Sequence, residues 1–201
     1  MLNLVRRYGY YGTARLFFSV VFSKCLLSRK VRIVRFPFYI RGAKHISWGS
    51  NFTSGVNLRI DADPIELSKN NCILKIGNNV QVNDYVHIGA VGQVLIGNNV
   101  LIASKVYISD HNHGSYNGNF QSSPDIEPSK RQILSFPVII EDNVWIGEQV
   151  SILPGVTIGQ GSIIGANSVV SRSIPANCIA VGAPAKVIKK FNYNNNQWEK
   201  I

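Results

Sequence analysis

Aliphatic side chains recur at every sixth position through the second half of the chain, at Ile140, Ile146, Ile152, Ile158, Ile164 and Val170. Two residues before the last five stand Val144, Val150, Val156, Ser162 and Ser168. An earlier block repeats the pattern at Ile76, Val82 and Ile88, then, after a two-residue slip, at Ile96, Ile102 and Ile108. Val80, Val86, Val100 and Val106 fill the matching preceding positions, and a fainter prelude lies at Ile46, Phe52 and Leu58. A helix turns about 100° per residue, so a step of six turns about 240° and never builds one apolar stripe. Positions two apart do share a face of a short strand. Each hexad therefore predicts one short strand and one turn, with three hexads closing a triangular coil. Gly77, Gly97, Gly147, Gly159 and Gly165 each follow the inward aliphatic residue, where a corner calls for a permissive backbone. The Asn pairs after Gly77 and Gly97 tolerate left-handed turn conformations. Stacking such coils buries an aliphatic column that no single repeat buries alone. The expected class is an all-β solenoid, a parallel β-helix; spacing does not give its hand.

The pattern also predicts where this organisation stops. Residues 110–137 lack the repeat and are rich in Ser, Asn, Pro and Gly, which marks an excursion from the solenoid. The expected division is a basic, aromatic amino-terminal segment over 1–45, a β-helix over 46–181 and a carboxyl-terminal element over 182–201. Within the last of these, Ala185 to Phe191 reads as a short capping element and Asn192 to Ile201 as a frayed tail.

Composition changes the picture in three ways. The chain is 45% hydrophobic and 16% charged, too apolar for disorder. Its formal charge of +10 suits an anionic partner, yet basic helices and aromatic RNA-binding motifs are missing, which disfavours nucleic acid. Cys25, Cys72 and Cys178 are scattered without paired spacing, so neither a disulfide framework nor a zinc site is expected, and a reducing, cytoplasmic setting is the simplest inference. The apolar run Leu16 to Leu27 holds twelve residues, short of the roughly 20 that a membrane-spanning helix needs. Flanked by Arg6, Arg7, Arg15, Arg29, Lys30, Arg32 and Arg35, it suits either a peripheral site on an anionic membrane or packing against the body or a neighbouring subunit.

Candidate chemistry begins at Asp110-His111-Asn112-His113-Gly114, the start of the excursion. A His-x-His pair beside an aspartate is a potential metal site, with His87 as third ligand, but no spacing fixes that set and no metal is expected. The competing role is general-base catalysis, for which an imidazole is suited near neutral pH.

Three motifs then carry a family resemblance: Asn143-Val144-Trp145-Ile146-Gly147, Pro154-Gly155-Val156-Thr157-Ile158-Gly159 and Val181-Gly182-Ala183-Pro184-Ala185. Together they resemble the hexapeptide-repeat acetyltransferases, nearest the galactoside and maltose O-acetyltransferases and their polysaccharide-modifying relatives. The resemblance covers about residues 70–190. It implies a left-handed parallel β-helix, a homotrimer with active sites between subunits, acetyl-CoA as acyl donor and a saccharide as acceptor. It also implies roles for individual residues. Counting without gaps from Ile96 puts His113 at the family's catalytic histidine, with His111 as the fallback, and Asn83 at the acceptor-holding position. Trp145 and Ala166 match the coenzyme A channel, Ser171 and Arg172 a later contact pair, and Lys186 and Lys189 the cations that meet the nucleotide phosphates. The sequence departs from the family at Glu148, where a serine is expected, in its amino-terminal segment, and in the loop after His113. Segments such as Arg7-Tyr8-Gly9-Tyr10-Tyr11-Gly12 look more like enzymes that decorate O-antigen or capsule sugars.

The implied reaction is direct acetyl transfer to a sugar hydroxyl with His113 as base, in cell-surface polysaccharide biosynthesis. The alternatives are N-acetylation of an amino sugar, a carbonic-anhydrase-like metalloenzyme, for which the His-x4-His spacing is absent, and a non-enzymatic structural solenoid.

Overall fold

The computed structural model describes residues 2–65 and 72–201. Short strands form three parallel sheets, and the chain visits them in strict rotation. The first sheet begins with Ile33–Val34, Thr53–Ser54, Gln81–Val82 and Leu101–Ile102, and continues with Trp145–Ile146, Ile163–Ile164 and Cys178–Val181. The second stacks Phe38–Arg41, Leu58–Ala62, His87–Ala90, Tyr107–Ser109, Ser151–Ile152 and Val169–Val170. The third stacks Ile46–Trp48, Leu74–Ile76, Val94–Ile96, Val138–Ile140 and Thr157–Ile158. Parallel pairing thus starts at Ile33, upstream of residue 46, where the periodic pattern first becomes visible.

The repeat is the core. Ile102, Ile108, Ile146, Ile152, Ile158, Ile164 and Val170 are fully buried, and each isoleucine contributes about 1.5–3 kcal/mol by leaving water. Ser162 and Ser168 are equally buried because both hydroxyls are used. Ser162 donates to the Pro175 carbonyl and accepts from the Cys178 amide; Ser168 donates to Gly165 and accepts from Gly182. The prelude proves to be two residues out of step with the later blocks. Trp48, Ser54 and Ile60 pair with Ile76, Val82 and Ile88, while Ile46 pairs with Leu74. Both sets face inward, since a slip of two preserves the face.

The corner glycines have a different cause from the one expected. The left-handed conformation falls on Asn79, Asn99 and Asn143, with φ of 56°, 55° and 59°. Gly77 is needed because a Cβ there would lie 2.4 Å from the Gly97 carbonyl oxygen of the next coil. The asparagines form a ladder up this corner, Asn79 Nδ2 donating to Asn99 Oδ1 at 3.0 Å and Asn99 Nδ2 to Asn143 Oδ1 at 3.1 Å.

The carboxyl terminus departs from expectation, while the amino-terminal segment packs against the body, one of the two arrangements expected. The tail is not frayed: Lys186–Asn192 turns antiparallel onto Cys178–Val181, and Gln197–Lys200 pairs with it in turn. Phe191 stacks edge-on against Tyr193 and Trp198, which holds the two strands together. At the other end, Leu2–Phe22 is helical apart from a break at Gly9, where φ is 68°. Its last turns are pinned to the body by two buried serines. Ser23 Oγ accepts the Val34 amide at 2.7 Å and Ser19 Oγ accepts that of Phe36 at 3.5 Å. Phe17 and Phe18 remain largely exposed. Among the described residues no helix is long and apolar enough to cross a membrane.

Candidate active site

Two irregularities of the coil meet at one corner. The excursion leaves the second sheet after Ser109 and returns as a hairpin, with His111–His113 antiparallel to Ile133–Ser135. The two-residue slip supplies the Val91–Gln93 backbone opposite. Asp110, wholly buried, joins them: its carboxylate accepts the amides of Val91, Gly92 and Gln93 at 2.7–3.1 Å. Gly92 must lack a side chain, because a Cβ there would lie 2.1 Å from Ser135 Oγ on the hairpin. Burial alone would raise the Asp110 carboxyl's pKa, but the bond to His111 and the three amides outweigh it and hold the group below the ordinary range.

This anchored carboxylate orients the first histidine. His111 Nδ1 lies 3.0 Å from Asp110 Oδ1 and 3.2 Å from Ser109 Oγ. His113 follows on the exposed hairpin, its ring centroid 6.2 Å from that of His111. Its carbonyl accepts the Tyr116 hydroxyl, which Arg131 also contacts at 2.9 Å, so the loop beyond is tied back onto it. Both imidazoles line a cleft of about 540 Å³. The opposite wall is charged: Asp61 binds Arg59 at 2.7 Å, Arg41 at 3.1 Å and His87 Nε2 at 3.2 Å. Burial, the Arg59 charge and the neighbouring His111 keep the His87 pKa below its usual value against the pull of Asp61. Among the described residues no group of three His, Cys, Asp or Glu is arranged to hold a metal.

A second cleft, of about 470 Å³, has another character. Asn83, Leu101, Ala103, Trp145, Gly147 and Ala166 line it, along with Glu148, so the candidates Asn83, Trp145 and Ala166 share one cleft. Trp145 is half-exposed. Trp145–Ile146 pairs directly with Ile163–Ile164, and the cleft lies over this pair of strands.

Within one protomer the remaining candidates stand apart. His111 and His113 do not line the Asn83 cleft, and Asn83 does not line theirs. Ser171, Arg172, Lys186 and Lys189 line neither. Lys186 and Lys189 lie on the strand that follows Cys178–Val181, three strand spacings or roughly 14 Å along the sheet from Trp145. Asp61, Arg41 and Arg59 escaped the sequence reading, which named Asp110 only as the aspartate beside a potential metal pair. Arg59 sits two residues before Asp61 on one strand, whereas Arg41 reaches Asp61 from the preceding coil and leaves no local trace.

Known proteins resemble this chain in sequence and fold. Residues 137–172 match the family model described as bacterial transferase hexapeptide (six repeats). A putative lipopolysaccharide biosynthesis O-acetyl transferase, WbbJ of Escherichia coli K12, is 48% identical over 201 residues, covering 100% of this chain and 99% of that protein. The galactoside O-acetyltransferase of the same organism is 40% identical over 156 residues, 78% of this chain and 59% of that protein. Among solved structures, a maltose O-acetyltransferase from Clostridium difficile 630 is 31% identical at a TM-score of 0.52, covering 75% of this chain and 73% of that one. The N-acyltransferase AntD from Bacillus cereus, at 22% identity, 83% coverage of both chains and a TM-score of 0.67, shares the fold. With a relative of this identity matched end to end, and the repeat itself recognised, the chain belongs to the hexapeptide-repeat acetyltransferases.

Proposed function

We propose that this protein transfers an acetyl group from acetyl-CoA to a saccharide hydroxyl in the biosynthesis of a cell-surface polysaccharide, on a left-handed parallel β-helix assembled as a homotrimer. The observation that carries the reading is the pair of complementary clefts, one charged and imidazole-lined, the other lined mainly by apolar and small residues. Neither is a whole transferase site. A trimer that sets the histidine corner of one protomer against the Asn83 groove of the next makes one from both. The full-length match to WbbJ supports the acceptor class.

In the mechanism, His113 accepts the proton of the acceptor hydroxyl, whose oxygen attacks the thioester carbonyl. The C–S bond of the tetrahedral intermediate then breaks, and the departing thiolate takes the proton from the imidazolium. Backbone amides at the coil edge stabilise the oxyanion, about 3 kcal/mol per donor. Asn83 orients the acceptor, and Trp145 and Ala166 border the pantetheine arm. Lys186 and Lys189, with Ser171 and Arg172, meet the nucleotide end, where cations suit its phosphates. His111, held by Asp110, keeps the corner in register beside His113. The enzyme works from the cytoplasm as a peripheral membrane protein: Phe17, Phe18, Tyr10 and Tyr11 are exposed on a helix that carries Arg6, Arg7 and Arg15.

Thiol release from acetyl-CoA is the test, with hydroxyl and amine saccharides compared as acceptors. Release that depends on a hydroxyl acceptor is expected. Transfer to amines only, or no binding of coenzyme A at all, overturns the reading. Flotation with vesicles containing anionic lipid, lost in neutral vesicles, is expected for the membrane contact; no flotation in either rejects it.

A further inference from the structure

Positive charge is unevenly distributed in this chain. The first 60 residues hold 11 of the 21 Lys and Arg and none of the 11 Asp and Glu. The remainder is close to neutral, so an anionic partner meets the amino-terminal part.

A third cleft, of about 370 Å³, shows where. The amino-terminal helix lies along the first sheet, and Arg7 from the helix faces Arg32 and Arg35 from the first coil, with Thr53, Gln81 and Asn83 among the polar lining. None of the three arginines is ion-paired to a carboxylate among the described residues. Arg7 stacks over the Tyr8 ring at 5.4 Å, and Arg35 donates to the Ser54 carbonyl at 2.7 Å. This sets them apart from Arg41 and Arg59 in the histidine cleft, both already bound to Asp61. Asn83 lines this cleft and the Trp145 groove alike, so it stands where the two clefts meet.

Three uncompensated guanidinium groups converging on one cleft attract a doubly or multiply charged anion, and their planar forks match phosphate oxygens. A neutral sugar offers them hydroxyl oxygens but no charge to balance theirs. We infer that the acceptor reaches Asn83 through this cleft and carries a diphosphate, held by Arg7, Arg32 and Arg35, next to the saccharide that is acetylated. The inference rests on the acetyl-transfer reading and names its acceptor class: a saccharide still attached to its diphosphate carrier, nucleotide or lipid. A reaction that forms or extends a sugar diphosphate must then supply the substrate.

The test is binding of inorganic pyrophosphate to the full-length protein saturated with coenzyme A, which fills the donor's own phosphate contacts. Wild type is expected to bind one pyrophosphate per protomer, and the Arg7→Gln/Arg32→Gln variant to bind about tenfold more weakly or worse, with its melting temperature and its affinity for coenzyme A unchanged. The control variant Arg29→Gln/Lys30→Gln removes equal charge from exposed positions outside the cleft and is expected to bind as wild type does. Competition by uridine diphosphate identifies a nucleotide carrier, and competition by farnesyl diphosphate a lipid one. No pyrophosphate binding, equal weakening in both variants, or competition by neither compound overturns the inference. Failure of wild type to bind coenzyme A instead strikes the acetyl-transfer reading, so the two failures are distinct.

Discussion

The Trp145 groove and the histidine cleft sit on the same solenoid and are built in opposite ways. The groove is a product of regularity. Trp145–Ile146 and Ile163–Ile164 follow the six-residue period without interruption and pair directly, and the groove lies over them beside the small residues Gly147, Gly165 and Ala166. The cleft is a product of two failures of that period, the slip at Val91–Gln93 and the excursion that begins at Asp110, and its lining is rich in charged and titratable groups where the groove's is mainly apolar, with Glu148 as its one charge. A repeat can hold a long, uniform ligand along its surface, but it places every coil's side chains alike. A unique reactive group needs a break in it, and the break needs its own anchor, here the buried Asp110.

Substitutions can break this contrast. The largest effect is expected at His113→Ala. General-base catalysis contributes about 10²–10⁴-fold, so turnover should fall by that order while the exposed hairpin leaves the melting temperature unchanged, as steady-state kinetics and a thermal melt would report. Ile152→Ala, inside the regular part, should do the reverse: a loss of about 2–5 kcal/mol in denaturant unfolding from the cavity it leaves in a close-packed column. Asp110→Asn strikes both properties. An amide in place of the carboxylate sets its own NH₂ against the Val91, Gly92 and Gln93 donors, and about 2–3 kcal/mol of stability should go, together with activity, as His111 loses its orienting partner. Should Asp110→Asn prove as stable and active as wild type, the anchor is no anchor. The same group sets an acid limit. Because the fold depresses its pKa, the unfolded chain binds more protons through the carboxylate range. Its contribution is therefore complete above the unfolded value of about 3.9 and fades as pH falls through the lower folded value. Trp145→Ala, half-exposed on the groove, should sharpen the contrast with the smallest effect: no change in melting, and a rise of about tenfold in KM for acetyl-CoA measured at saturating acceptor.

Legibility followed the same division. Period six was readable because each inward position must be aliphatic whatever its neighbours, and Ile140 to Val170 are buried as the spacing requires. Where the period weakened, so did the reading. Ser54, inward and fully buried, hid the true register of the prelude, and Ile33–Val34 and Phe38–Arg41 carry too short a signal to separate them from the basic segment around them. The Gly77 step was visible, but its reason, contact with the Gly97 carbonyl of the next coil, belongs to packing between residues twenty apart. The tail read as frayed because Asn194-Asn195-Asn196 looks like a loop, as it is; the strand pairing on either side depends on Phe191 meeting Trp198. In the candidate site, His111 and His113 stood out by sitting at the interruption. In the salt-bridged wall opposite, Arg59 neighbours Asp61 on one strand, but Arg41 joins from the coil before, a contact assembled only in three dimensions.

Co-expression of two crippled proteins tests the central claim most directly, that one active site is made from the histidine corner of one protomer and the groove of another. His113→Ala removes the base, and Ala166→Trp fills the groove from an exposed position. If the site is shared, each mixed trimer regenerates one intact site of its three, about a quarter of all interfaces in a random 1:1 mixture, and acetyl transfer by the whole mixture should return to about a quarter of the wild-type rate. Mixed trimers, verified by differential tags, that stay as inactive as either parent would contradict it.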